Sequence, residues 1–75
     1  MRGPEKAEVL EYVRQHPGTD VHRIVADMYP DATPYETRYM RGWVSGHLTE
    51  LRAKGLIIGE HAPGSRHMKL WRAVA

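Results

Sequence analysis

Two segments of the chain carry apolar residues spaced three and four apart, the pattern of an amphipathic helix. The first covers about residues 4–15 and ends at His16-Pro17-Gly18, because proline disfavours helical geometry in the residue before it. The second covers about residues 21–29, with Asp20 as a suitable N-cap and Pro30 as its stop. We therefore predict helix 1 and helix 2, with buried stripes formed by Val9, Leu10 and Val13, and by Val21, Ile24, Val25 and Met28.

A third helical pattern is longer than the other two. Thr33-Pro34-Tyr35-Glu36 has the elements of a capping box, with Pro34 at the first helical position. The apolar residues that follow stay in phase, so we predict one continuous helix 3 over about residues 34–54. A break near Arg41-Gly42, which would give two shorter helices, is the alternative. The residues in phase are Met40, Val44, Leu48 and Leu51.

Beyond Gly55 the pattern becomes that of a β-hairpin. Residues 56–61 start an apolar strand, Pro63-Gly64 is a good turn pair, and residues 67–74 return. Thr19 could add one or two residues to this sheet. The fold class predicted for residues 1–75 is therefore α+β: a single domain of three helices and a C-terminal hairpin over about residues 56–74.

The two tryptophans are expected to supply much of the buried area, because the chain contains no phenylalanine. Trp71 shares one face of the second strand with Lys69 and Ala73, and we expect it in the core because of its large apolar area. Trp43 lies at the edge of the apolar stripe of helix 3, and we expect it in the core as well. The alternative is that Tyr35, Tyr39 and Trp43 form an exposed aromatic patch for a protein partner or a second protomer.

Composition excludes several classes of site and protein. The chain has no cysteine, which excludes disulfides and thiolate metal sites and favours a reducing compartment. No apolar run approaches the ~20 residues that cross a bilayer, and the first residues lack the apolar segment of a signal peptide. We expect a cytoplasmic protein that does not engage a membrane.

Charge is divided unevenly along the chain. Residues 1–37 hold four Lys/Arg and seven acidic residues, whereas residues 38–75 hold seven Lys/Arg and two acidic residues. The formal net charge of +2 thus combines a half of net −3 with a half of net +5. A polyanion would contact the C-terminal half.

The polar face of helix 3 is the strongest candidate for a binding surface. At about 100° per residue, this face carries Arg38, Arg41, Gly42, Ser45, Thr49 and Arg52, opposite the apolar stripe. Arginine pairs with guanine edges and with phosphates, and hydroxyls contact both. We expect double-stranded DNA as partner, with Arg38 and Arg41 as base readers, Tyr35 and Thr37 beside them, and Arg52 on phosphate. An ordinary solvated face is the alternative.

Two further features leave alternatives open. Gly42 and Gly46 lie one turn apart in a helix, where each lowers stability. One interpretation is that they permit close approach of DNA or of another helix. The alternative is that they relieve crowding beside Trp43 or mark a bend. The hairpin tip carries Arg66 and His67, which we expect to contact DNA; a merely solubilising turn is the alternative.

Other kinds of site find little support. A metal site at His61 and His67 lacks a third ligand, and no nucleophile motif, carboxylate pair or phosphate-binding glycine loop is present. We therefore expect no catalytic residues, no metal, no cofactor and no small-molecule ligand, and we expect that the chain is not an enzyme.

Taken together, these residues resemble a winged helix-turn-helix domain of the kind found in ArsR-like and MarR-like repressors and in small phage, plasmid and archaeal regulators. The residues that carry the resemblance span about residues 5–74. It implies a small transcriptional regulator of prokaryotic or viral origin, with helix 3 in the major groove and the hairpin as a wing on the adjacent backbone or minor groove. A homodimer is possible, and the alternative function is a protein-interaction module without DNA binding. The matching segments are His16-Pro17-Gly18, Asp20 to Val25, Val44 to Leu48 with Leu51, Gly55-Leu56-Ile57, and Lys69 to Arg72.

Overall fold

The computed structural model describes residues 3–65 and 68–74 of the chain. Within them, three helices are followed by two antiparallel strands, so the predicted α+β order of elements is confirmed at this level. The elements are α1 (Lys6–Gln15), α2 (Val21–Met28), α3 (Pro34–Ala53), β1 (Ile57–His61) and β2 (Lys69–Ala73).

The first helix starts two residues later than predicted, because its N-terminus is built by Glu5 rather than by Pro4. Glu5 is the N-cap of a capping box in which Glu8 occupies the third helical position. Pro4 lies outside the helix and is fully buried. The helix ends at Gln15, and Gly18 adopts a φ of 87°, a left-handed conformation that favours glycine.

The predicted caps form at α2 and α3. The Asp20 carboxylate accepts a hydrogen bond from the Arg23 backbone N–H at 3.0 Å. The Thr33 hydroxyl accepts from the Glu36 N–H at 3.2 Å, and the Glu36 carboxylate accepts from the Thr33 N–H at 2.9 Å. Of the two alternatives for residues 34–54, the continuous helix is the one observed, and it ends at Ala53.

The hairpin is attached to the helices through Trp71. The register places Gly59 opposite Trp71, and a Cβ added at Gly59 would come within 2.8 Å of the Trp71 ring. Gly59 therefore makes room for the indole. The expected contribution of Thr19 is confirmed as a single bridge, in which the Trp71 N–H donates to the Thr19 carbonyl at 2.7 Å.

The core lies between the helices and the inner face of the hairpin. The predicted stripe of α3 is fully buried, whereas Leu10, Val21 and Met28 are only partly buried around it. Trp71 is buried, as expected, with 8% of its surface exposed. No helix among the described residues is long and apolar enough to span a bilayer. The buried apolar residues are Val9, Val13, Ile24, Val25, Met40, Val44, Leu48, Leu51, Ile57 and Trp71.

The prediction that Trp43 belongs to the core is wrong. Its side chain is 39% exposed and lies on the surface of α3, where it packs against the N-terminal segment. The Trp43 indole N–H donates to the Pro4 carbonyl at 2.8 Å, and a Cβ at Gly3 would come within 2.4 Å of the ring. Position 43 falls at the edge of the apolar stripe, so a short segment outside the helices decides its environment.

Candidate functional site

The side of α3 opposite its buried residues forms a stripe that we call the outer stripe. Its arginines stand at the two ends, fourteen positions apart, which is about 21 Å along the helix axis. Only small side chains lie between them, and all six residues are exposed. The outer stripe comprises Arg38, Gly42, Ser45, Gly46, Thr49 and Arg52.

A groove of about 280 Å³ runs beside the C-terminal half of this stripe. The start of α2 forms one wall, α3 forms the second, and the hairpin forms the third. Leu48 and Trp71 line the groove and also belong to the hydrophobic core, so the polar groups of the groove lie directly beside the core. The polar lining consists of Asp20, His22, Ser45, Thr49, Arg52 and Lys69.

The groove includes two residues that the sequence analysis did not select, His22 and Lys69. Lys69 alternates with outward residues along β2 and shares the face of Trp71, with its ammonium 5.8 Å from the ring centroid. Strand alternation could have identified Lys69 as facing the helices. His22 carries no such signal, because only the packing of α2 against α3 brings it to the groove.

Ion pairing separates the cations of the described residues into two groups. Lys6, Arg14, Arg23 and Arg72 each lie within 4.0 Å of a carboxylate oxygen, and none of them lines the groove or the outer stripe. The cations of the outer stripe and the groove form no such ion pair within the described part of the chain. These cations are Arg38, Arg41 beside the stripe, Arg52 and Lys69; Lys54, the C-cap of α3, lies outside both surfaces and also forms no ion pair with a described residue.

One of the paired cations links two helices. Lys6 of α1 forms an ion pair with Glu50 of α3, on the side of α3 away from the groove. The Lys6 ammonium donates to the Glu50 carboxylate, which lowers the pKa of Glu50 and raises the pKa of Lys6 from their ordinary values. This pair accounts for the acidic residue near the C-terminal end of α3.

Arg41 differs from Arg38 and Arg52 because it is half-buried between helices. Its Nη1 lies 3.4 Å from Nδ1 of His22 in the first turn of α2. A guanidinium has donors only, so Nδ1 of His22 accepts this hydrogen bond. Arg41 is thus held at the junction of α2 and α3, at the edge of the outer stripe.

The two glycines of the outer stripe have open space around them. A Cβ built at Gly42 or Gly46 meets no heavy atom within 4 Å beyond the neighbouring residues of the chain, so the interpretation that Gly46 relieves crowding beside Trp43 is wrong. Nothing within the described residues requires glycine at either position. Each one lowers helix stability by about 1 kcal/mol relative to alanine.

The aromatic residues near the start of α3 remain on the surface. Tyr35 is 80% exposed and Tyr39 is 42% exposed, and the Tyr39 and Trp43 ring centroids lie 6.0 Å apart. On the far side of Trp43, Nε2 of His47 donates to the Pro4 carbonyl at 2.9 Å. The patch of Tyr35, Tyr39 and Trp43 is therefore fixed at one end by the N-terminal segment.

The remaining candidate residues are placed as follows. Tyr35 lies in the first turn of α3 near Arg38, and Thr37 is half-buried in the same turn. Arg66 and His67 lie outside the described residues, and so does the proposed pairing of His61 with His67. Among residues 3–65 and 68–74, no group of three or more histidine, aspartate or glutamate side chains is arranged to hold a metal ion.

Comparisons with protein-family models, with curated proteins and with solved structures give no match for this chain.

Proposed function

We propose that this chain is a winged helix-turn-helix domain that binds double-stranded DNA, as a small transcriptional regulator. In this proposal α3 enters the major groove, and the β1–β2 hairpin acts as the wing against the adjacent backbone or minor groove. The order of elements is compatible with that architecture, since a two-stranded antiparallel hairpin directly follows the third helix.

The observation that carries the proposal is the position of the cations without carboxylate partners. Arg38, Arg52 and Lys69 lie on or beside one continuous surface that also exposes the hydroxyls of Ser45 and Thr49. Of the other described cations, Lys6, Arg14, Arg23 and Arg72 have carboxylate partners, and only Arg41 beside the stripe and Lys54 at the end of α3 have none. A surface whose positive charge is not neutralised internally suits a polyanion, which supplies the missing negative charge.

In this proposal, the residues along α3 have different roles. Arg38 projects outward near the N-terminal end, where it can pair with a base edge in the major groove, with Tyr35 and Thr37 beside it. Arg52, Ser45, Thr49 and Lys69 line the groove, which suits a backbone phosphate. The proposal extends to Arg66 and His67 at the tip of the wing.

Fluorescence anisotropy with a short mixed-sequence duplex, titrated at salt concentrations from about 50 to 200 mM, tests the proposal. Affinity should fall steeply as salt rises, because each neutralised phosphate releases counterions. Arg52→Ala should weaken binding and reduce the salt slope by about one. Arg72→Ala is the matched control, because Arg72 pairs with Glu60 outside the groove.

Affinity for the duplex that is absent or hardly depends on salt would refute DNA binding as the function. Equal loss of affinity in Arg52→Ala and Arg72→Ala would instead refute the role assigned to the groove.

A second candidate function is a winged-helix module that binds another protein through the patch of Tyr35, Tyr39 and Trp43. The exposure of Tyr35 favours it, since an aromatic side chain 80% exposed is a typical anchor in protein interfaces. It predicts no duplex binding at about 150 mM salt and loss of a purified partner on Tyr35→Ala. Tyr35 lies outside the core, so this substitution should leave the fold intact.

A further inference from the structure

His22 and Arg41 meet across the α2–α3 junction, and no carboxylate oxygen of the described residues lies within 4.0 Å of the Arg41 guanidinium. Nδ1 of His22 accepts from Nη1 of Arg41 at 3.4 Å, which places the ring proton of the neutral histidine on Nε2. The surrounding charged groups are Asp20, which caps α2 and lies within 3.7 Å of Arg23, together with Arg52 and Lys69 across the groove.

A neutral acceptor has a different effect on an arginine than a carboxylate has. The carboxylate partners of Arg23 and Arg72 hold those side chains but also cancel their charge. His22 restrains Arg41 and leaves its full positive charge for an external anion. A side chain that is already ordered loses less conformational entropy on binding.

We infer that His22 is a positioning residue that preorganises Arg41 to contact a DNA backbone phosphate at the α2–α3 junction. This inference rests on the proposed function. It assigns Arg41 to a phosphate rather than to a base, because Arg41 lies at the edge of the outer stripe, half-buried against α2. Phosphate contacts of this kind fix how a protein is positioned on the duplex.

The test uses the full chain, a short mixed-sequence duplex and anisotropy at several salt concentrations. His22→Leu keeps the branched shape but removes the acceptor, and it should weaken binding about two- to tenfold with an unchanged salt slope. Arg41→Ala should weaken binding and reduce the slope by about one. His22→Asn is the matched control, because its side-chain oxygen occupies the place of Nδ1 and should restore affinity.

A double-mutant cycle gives the decisive comparison. In the Arg41→Ala background, His22→Leu should change affinity little, since His22 acts only through Arg41. Circular dichroism melting of each variant checks the fold, and His22→Ala replaces His22→Leu if the latter does not fold.

Several outcomes would overturn the inference while leaving DNA binding intact. These are equal effects of His22→Leu with and without Arg41, a reduced salt slope in His22→Leu, or no rescue by His22→Asn. Failure of the wild-type chain to bind the duplex at low salt would instead refute the proposed function, and the inference with it.

Discussion

Replacing both Gly42 and Gly46 by alanine should make this protein more stable. Both positions lie inside α3, both are exposed, and neither has a positive φ. A methyl group at either one meets nothing within 4 Å, so no steric cost offsets the gain in helix propensity. At about 0.8–1.0 kcal/mol for each position, the double variant should gain roughly 1.5–2 kcal/mol.

A gain of this size is easy to measure in so small a domain. One kcal/mol shifts the melting temperature by about 4–8 °C at this chain length, so the double variant should melt roughly 6–16 °C higher. Urea denaturation gives the free energy directly, and its m-value should not change. The matched control is Ala26→Gly on the exposed side of α2, which should cost about 1 kcal/mol without affecting duplex binding.

The same substitutions should weaken duplex binding if the outer stripe faces the DNA. The two methyl groups would stand where the backbone of α3 approaches its partner most closely, between Arg38 and Arg52. Higher stability together with lower affinity is therefore the expected pair of results. An unchanged or lower stability would refute the argument that the glycines have no role in the fold. Higher stability with unchanged affinity would refute the placement of the outer stripe against DNA.

Three further predictions concern the fold. Gly59→Ala should destabilise the protein by about 1–3 kcal/mol in urea denaturation, because the new Cβ would lie 2.8 Å from the buried Trp71 ring; an unchanged midpoint would show that the ring moves freely. Thr33→Ala should lower the free energy of unfolding by about 1 kcal/mol by the same measurement, because the Glu36 N–H loses the hydroxyl that caps it. Thr33→Ser keeps a hydroxyl and should retain most of the wild-type stability. Glu50→Gln should lower stability at neutral pH. The Lys6 ammonium holds the pKa of Glu50 below its ordinary 4.5. The stability difference between wild type and Glu50→Gln should therefore shrink as the pH falls below 4.5. It should also be smaller at high salt, which screens the pair. A difference that persists in acid would mean that the Lys6–Glu50 pair is not its source.

The local patterns in this chain predicted elements well where a signal repeats or where a cap is specific. The four buried residues of α3 keep one phase over several turns, and the Thr33–Glu36 capping box marks where that helix begins. Residues 34–53 form one helix for these two reasons, since a continuous apolar face supports each turn by packing. The expectation that Trp71 lies in the core rests on its size in a chain without phenylalanine, and Trp71 is buried.

Local patterns failed where the environment comes from a distant part of the chain. Trp43 lies at the border of the apolar stripe, where periodicity does not predict whether a side chain is buried or exposed. Its neighbours are Gly3 and Pro4, some forty residues away along the chain. The groove posed the same difficulty. His22 belongs to it only because α2 packs against α3, and nothing in the spacing around position 22 indicates a contact with Arg41.

The sequence by itself therefore determined the order of the helices and strands, their caps, most of the core and the uneven distribution of charge. These properties depend on residues within a few positions of each other, or on composition alone. The tertiary structure decided which cations have carboxylate partners, that a groove forms between α2, α3 and the hairpin, and that Arg41 is held by His22. Each of these depends on distances between side chains that are far apart along the chain, and only the packing of the elements sets those distances.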